Sequence, residues 1–224
     1  MTRILLAICA VVFAMAQPLL AADMSRPIYK APAMGPVMFN WTGGYVGING
    51  GYGWARSDWS SVVSTGSTSP RGGLVGGTLG YNLQAGALVW GIEGDFDASW
   101  LKGTDTTGTG VCAGVGCETR NSWLATARGR LGYAMGSAMP YFTGGAAFGD
   151  IKMTPAGGTS ERTTKTGWAL GGGFEYAFSG PWSAKVEYLH ADLGRATCSA
   201  ATCGVATDVN FRADIVRAGI NYRF

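Results

Sequence analysis

From Asn210 to the final Phe224, bulky apolar side chains recur at every second position: Val216, Ile220, Tyr222 and Phe224, with small Ala218 among them. Arg217, Gly219, Asn221 and Arg223 fill the alternate places. A period of two belongs to a β-strand, whose successive side chains point to opposite faces. One face suits hydrocarbon and the other suits water or charge. The same alternation picks out eight segments, at approximately 41–54, 72–84, 88–100, 122–135, 140–152, 166–178, 182–193 and 210–224. Their apolar faces carry Val46, Ile48, Tyr52 and Trp54, then Val75, Leu79, Tyr81 and Leu83, Leu88, Trp90, Ile92, Phe96 and Trp100, Trp123, Leu131 and Tyr133, Phe142 and Phe148, Trp168, Leu170, Phe174, Tyr176 and Phe178, and Trp182, Val186 and Tyr188. Aromatic residues crowd the segment ends, as in the two girdles of a membrane barrel, where an amphipathic ring sits between tails and headgroups.

A membrane strand needs about 9 to 11 residues, and each segment is long enough. The connections alternate in length. Short ones fall at 85–87, 136–139 and 179–181, and long ones at 55–71, 101–121, 153–165 and 194–209. An even number of antiparallel strands with short periplasmic turns and longer outer loops is the layout of an all-β, eight-stranded transmembrane β-barrel, with both termini in the periplasm. A soluble β-sandwich shows the same alternation with its polar face outward.

The first residues agree with export. Arg3 supplies a positive start, residues 4–16 are apolar, and Leu20-Ala21-Ala22-Asp23 offers a small-residue cleavage point after Ala21 or Ala22. That run is shorter than the roughly 20 residues a spanning helix requires. Cys9 would leave with the leader. The expected organisation is a signal peptide at 1–22, a proline-rich periplasmic segment at 23–40 with Pro27, Pro32 and Pro36, and a barrel at 41–224. Glycine numbers 37 of 224 and is spread through the strand segments, where it lets a small barrel wall bend around large inward side chains. The net charge of +3, falling to +2 without Arg3, comes with no basic cluster along the sequence, which argues against nucleic acid as a partner.

The alternate faces place Glu93, Asp95, Asp97, Arg128, Arg130, Glu175, Lys185, Glu187 and Arg217 inside the barrel. Antiparallel pairing about each connection sets Glu93 near Arg130, Asp95 near Arg128, Glu175 near Lys185 and Glu187 near Arg217, with opposite signs facing each other. Eight strands enclose an interior just wide enough for side chains to fill, so this lattice is expected to plug the lumen. A conducting or gated ion path is the other reading of charges at membrane depth.

Four cysteines follow the leader, Cys112, Cys117, Cys198 and Cys203, all in expected outer loops. Outside the cytoplasm disulfides form readily, either locally, Cys112 with Cys117 and Cys198 with Cys203, or between the loops. The spacing and the lack of histidine in these loops do not fit a zinc site. No metal or other cofactor is expected. The one histidine, His190, follows Tyr188 toward the outer end of its segment, with Ala191 and Asp192 beside it. No His-x-Ser or Gly-x-Ser-x-Gly is present and no partner is evident for it. It reads as a girdle residue, so no enzyme is expected, with a lipid-modifying barrel as the remote alternative. Gly171-Gly172-Gly173 opens no helix and makes no phosphate cradle.

Asn40-Trp41-Thr42-Gly43-Gly44-Tyr45-Val46-Gly47, with Gly50-Gly51-Tyr52-Gly53-Trp54 after it, resembles the opening strand of the small porin-family proteins of Gram-negative bacteria often called outer membrane immunogenic proteins. Residues 140–147 resemble their fifth strand, 182–189 their seventh and 217–224 their closing strand. The resemblance covers nearly all of the chain beyond the leader. It implies an eight-stranded barrel in the cell outer membrane, inserted by the assembly machinery that reads the final strand, here Gly219, Tyr222 and terminal Phe224. His190, where an aromatic is more usual, and the cysteine pairs depart from the family pattern.

The expected partners are therefore outer-membrane lipids and that machinery, with an extracellular partner possible through the loops, whose tips carry Trp59, Val62 and Val63. The expected role is monomeric envelope structure and surface interaction. A porin-like diffusion pore is the alternative, separable by conductance.

Overall fold

The computed structural model describes residues 39–60, 65–105, 117–154, 161–198 and 207–224. The expected leader, most of the proline-rich segment, Val62, Val63, Cys112 and Cys203 lie outside them. The described chain forms nine strand segments: β1 Gly43–Ser60, β2 Thr65–Thr68, β3 Arg71–Ala85, β4 Leu88–Asp105, β5 Cys117–Tyr133, β6 Ala138–Thr154, β7 Glu161–Ser179, β8 Trp182–Cys198 and β9 Thr207–Arg223. Neighbours pair antiparallel, and β9 returns to pair with β1 from Tyr45↔Arg223 to Ser60↔Asp208. That seam closes the ring from β1 through β3 to β9, with β2 paired on its β1 side. Because β2 is the upper part of the stave that β3 continues, interrupted at Ser69 and Pro70, the result is a closed eight-stranded barrel.

The short connections are tight turns turned by glycine, with Gly86 at φ 63°, Gly136 at φ 65° and Gly180 at φ 50°, a region that β-carbon-bearing residues avoid. At the opposite end the staves continue further than the alternation suggested. Strands of 15 to 19 residues overshoot the membrane, so the expected loops at 55–71, 101–121, 153–165 and 194–209 are in large part strand. The physical reason is a change of solvent. Beyond the girdle the outer face becomes polar, with Arg56, Asp58, Lys102, Arg120, Arg162, Arg195 and Arg212, and the inner face becomes apolar, with Leu101, Ile151, Leu193, Val209 and Phe211. The period of two persists while its phase inverts, so the segments expected from lipid-facing alternation end where the membrane ends.

Within the membrane the expected outward set is exposed, Ile48, Ile92 and Phe142 at 70%, 70% and 77%, except that Trp123 and Phe148 are half-buried. Two corrections apply at the margins. Trp41 precedes β1 and is fully buried. β-bulges interrupt β5 between Arg120 and Leu124 and β8 between Asp192 and Arg195, where Gly194 takes φ 69° and its N–H bonds the Asp192 carboxylate at 2.8 Å.

Candidate functional site

Three layers of inward side chains fill the lumen. At the turn end Trp41 lies across the mouth against Val89, Met139 and Ala177. Its amide N–H donates to Gln84 Oε1 at 2.7 Å and its indole N–H to the Gly136 carbonyl at 3.2 Å. The Arg223 guanidinium stacks over the rings of Trp41 and Phe39, 4.7 and 5.0 Å from their centroids. A segment that the sequence assigned to the barrel's first strand therefore forms its floor.

Above the floor lie all nine charged residues read from the sequence, each at most 5% exposed. β4 brings Glu93, Asp95 and Asp97 to one face because residues two apart share a side of the sheet. β5 supplies Arg128 and Arg130, β7 Glu175, β8 Lys185 and Glu187, and β9 Arg217. Arg128 reaches Glu93 and Asp95, both at 2.6 Å, and Glu187 at 2.8 Å. Arg217 spans Glu187 at 2.6 Å and Asp95 and Asp97, both at 3.0 Å. Arg130 binds Glu175, stands 3.8 Å from Glu93 and lies 3.7 Å from the Tyr141 ring centroid.

One expected pair is not made. Glu175 and Lys185 are opposite in the β7–β8 register, yet the Lys185 ammonium contacts Glu93 across the lumen at 2.9 Å. Glu175 is held instead by Arg130, by the Ser183 hydroxyl at 2.5 Å and by the Asn221 amide at 3.1 Å. Backbone register decides which residues sit side by side, but a long side chain in a narrow barrel chooses among partners on the far wall as well. Asp95 and Arg128 are displaced by one inward step, and Glu93 faces Arg128 in the register rather than Arg130.

Neutral residues, which charge patterning does not single out, complete this network. Tyr45 donates to Glu93 at 2.8 Å, and Thr78 and Thr126 each donate to Asp95 at 2.8 Å. Their signal was available: each is on the inward parity of its strand. Arg223, with its Nη2 3.8 Å from Glu175, adds a tenth charge. Five acids then face five bases, as a closed low-dielectric space requires.

The third layer was not foreseen. Leu74, Leu101, Leu124, Ile151, Leu189, Leu193, Val209, Phe211 and Ile215 form a buried apolar cluster in the upper barrel. A cavity of about 10 Å³ between Leu101, Leu193 and Phe211 has room for one water at most. The larger hollow is outside, a groove of about 1080 Å³ along the lipid face of β3, β4 and β5, bordered by Leu79, Ile92 and Phe96 and floored by Gly77, Gly94 and Gly129.

Packing on the two faces explains the glycines differently. A β-carbon at inward Gly51 would lie 2.7 Å from Arg217 Cβ, and one at Gly173 would lie 2.7 Å from the Tyr141 hydroxyl. At outward Gly77 the nearest atom would be 3.8 Å away, ordinary contact.

His190 faces out, as read, and it has a partner that the sequence neighbourhood hid. Its Nδ1 is 2.7 Å from Asp214, its register opposite on β9, and the Tyr188 hydroxyl donates to the same carboxylate oxygen at 2.6 Å. Trp168 lies alongside, centroids 5.5 Å apart. Among the described residues the imidazole's hydrogen-bond partner is Asp214. Cys117 opens β5 and Cys198 ends β8, with their expected partners outside the described residues. Tyr222 and Phe224 face lipid, and Gly219 packs inward against Asn49.

The chain is similar to the 31 kDa outer-membrane immunogenic protein of Brucella melitensis, 39% identical over 245 residues and all of both chains. It is 31% identical to the 25 kDa outer-membrane immunogenic protein of Brucella abortus, over 91% of this chain and 90% of that one. Among solved structures, outer membrane protein OprG from Pseudomonas aeruginosa has the same fold, with a TM-score of 0.51 and 15% identity across 83% of this chain and 99% of the other. Residues 7–224 match the family described as the outer membrane protein beta-barrel domain. With its closed eight-stranded wall, lipid-facing girdles and these relatives, the chain belongs to that family and resides in the cell outer membrane.

Proposed function

We propose that this protein is a non-conducting, monomeric envelope barrel that acts through its outer surface. The observation that supports this is the continuous filling of the lumen from Trp41 through the ten-charge network to the Phe211 cluster. Each layer lies in series with the others, so a solute would have to displace all three. The rim at the long connections is the contact region, and β9 with Gly219, Tyr222 and Phe224 is the part that the assembly machinery engages.

Solute flux tests this reading. Proteoliposomes holding the refolded chain are expected to swell in isosmotic arabinose no faster than protein-free liposomes. Swelling that rises with protein content would establish the diffusion pore instead.

A further inference from the structure

Five basic side chains far apart in the sequence are gathered by the hairpin register into one row. Arg71 on β3 is opposite Lys102 on β4, Lys102 opposite Arg120 on β5, Arg120 opposite Lys152 on β6, and Lys152 opposite Arg162 on β7. All five are on the outer face, half-exposed or exposed. The sequence, read linearly, holds no basic cluster; the fold makes one. Adjacent strands are about 4.8 Å apart, so one cation per strand gives a line of charges roughly 20 Å long at near-contact spacing. Like charges placed directly opposite each other across strands are destabilising.

The barrel does little to neutralise them. Lys102 meets Glu118 at 3.1 Å and Arg162 meets Asp150 at 3.4 Å. Among the described residues no carboxylate pairs with Arg71, Arg120 or Lys152. On β8 and β9, at the same level, the construction is the reverse: Arg212 meets Asp192 at 3.2 Å, Arg195 is 3.8 Å from Asp208, and His190 is paired with Asp214. Compensation is therefore available to this wall, and the β3–β7 row takes it at two of its five cations.

The row's height says what it faces. Arg71 is opposite Trp54, Lys102 is two residues above Trp100, and Arg120 is three above Trp123, all at the upper girdle. Lys152 is four residues above Phe148 and Arg162 six above Trp168, so the row starts among headgroups and climbs away from the membrane. A ligand complementary to it is anchored in the outer leaflet, carries several closely spaced anionic groups, and extends outward with more.

We propose that the β3–β7 face binds the phosphorylated saccharide headgroup of an outer-leaflet glycolipid, with Arg71, Lys102 and Arg120 on the membrane-level phosphates and Lys152 and Arg162 on anionic groups further out. Arginine forks match phosphate oxygens in pairs and lysine adds point charge. This site is independent of whether the lumen conducts.

The test uses the full chain refolded in neutral detergent, with bisphosphorylated lipid A as the probe, its dephosphorylated form, and heparin as a soluble polyanion. The charge-removing variant Arg71→Gln/Arg120→Gln, which alters two cations at the level of the phosphates, is expected to bind bisphosphorylated lipid A at least about tenfold more weakly. Arg195→Gln/Arg212→Gln, which removes the same charge from the compensated side, is expected to stay within about twofold of wild type. Dephosphorylated lipid A is expected to lose binding to the same degree as the first variant. Because both positions are on the surface, each variant is expected to keep the heat-modifiable electrophoretic mobility of a folded barrel, and removing the repulsion leaves its unfolding temperature unchanged or raised. Equal losses in the two double variants, or none in the first, would overturn the site. So would loss of heparin binding with lipid A binding intact, which would assign the row to a soluble polyanion.

Discussion

The lower and upper halves of this barrel's interior are built from opposite materials. Below, Arg128, Arg217 and their acids make a fully buried ionic lattice; above, Phe211, Leu193 and Leu101 make an ordinary hydrophobic core. The wall outside each half is opposite too, apolar around the ions and polar around the core. One rule covers both. Side chains facing the surroundings match those surroundings, lipid below and water above, and the enclosed face takes the complementary class. In the membrane there is no hydrophobic gain from turning apolar groups inward, so the interior is specified by hydrogen bonds and charge. Above the membrane that gain returns.

Disrupting each half should fail differently. The largest loss is expected below. Arg217→Ala leaves Asp97 without a cation and leaves Glu187 and Asp95 with Arg128 alone, and should cost about 3–5 kcal/mol in urea unfolding followed by tryptophan fluorescence. Leu193→Ala, above, removes packing without stranding a charge and should cost roughly 2–4 kcal/mol. The two faces of the wall offer a third contrast with a single residue type. Gly51→Ala forces a β-carbon into Arg217 and the β9 backbone and should cost about 1–3 kcal/mol, as overpacking does. Gly77→Ala, facing lipid with room to spare, should be nearly neutral. A comparably small change is expected at the upper surface, where Lys102→Gln breaks a half-exposed pair with Glu118 and should shift stability by less than about 1 kcal/mol.

The membrane wall and the identity of the lumen charges were legible in the sequence, because parity alone says which residues face in. Parity does not say who meets whom across a lumen: Lys185 finds Glu93, 92 residues away, in preference to the Glu175 opposite it. Nor does a search for lipid-facing apolar residues recognise a strand after its phase inverts. That is why the alternation divides Leu193 from Arg195, segment end from loop, although both belong to β8, one facing the core and the other water. Asp214 was unseen as the partner of His190 for the same reason that the basic row was unseen. Both depend on register between strands, which the linear order conceals.

Stacking in series makes the closed lumen testable in one experiment. Planar-bilayer recording of the refolded chain, wild type beside Arg128→Ala, should give no steady conductance from either, because the apolar half still seals a barrel whose ionic half is damaged. Long-lived, uniform current steps from the wild-type protein would contradict the account.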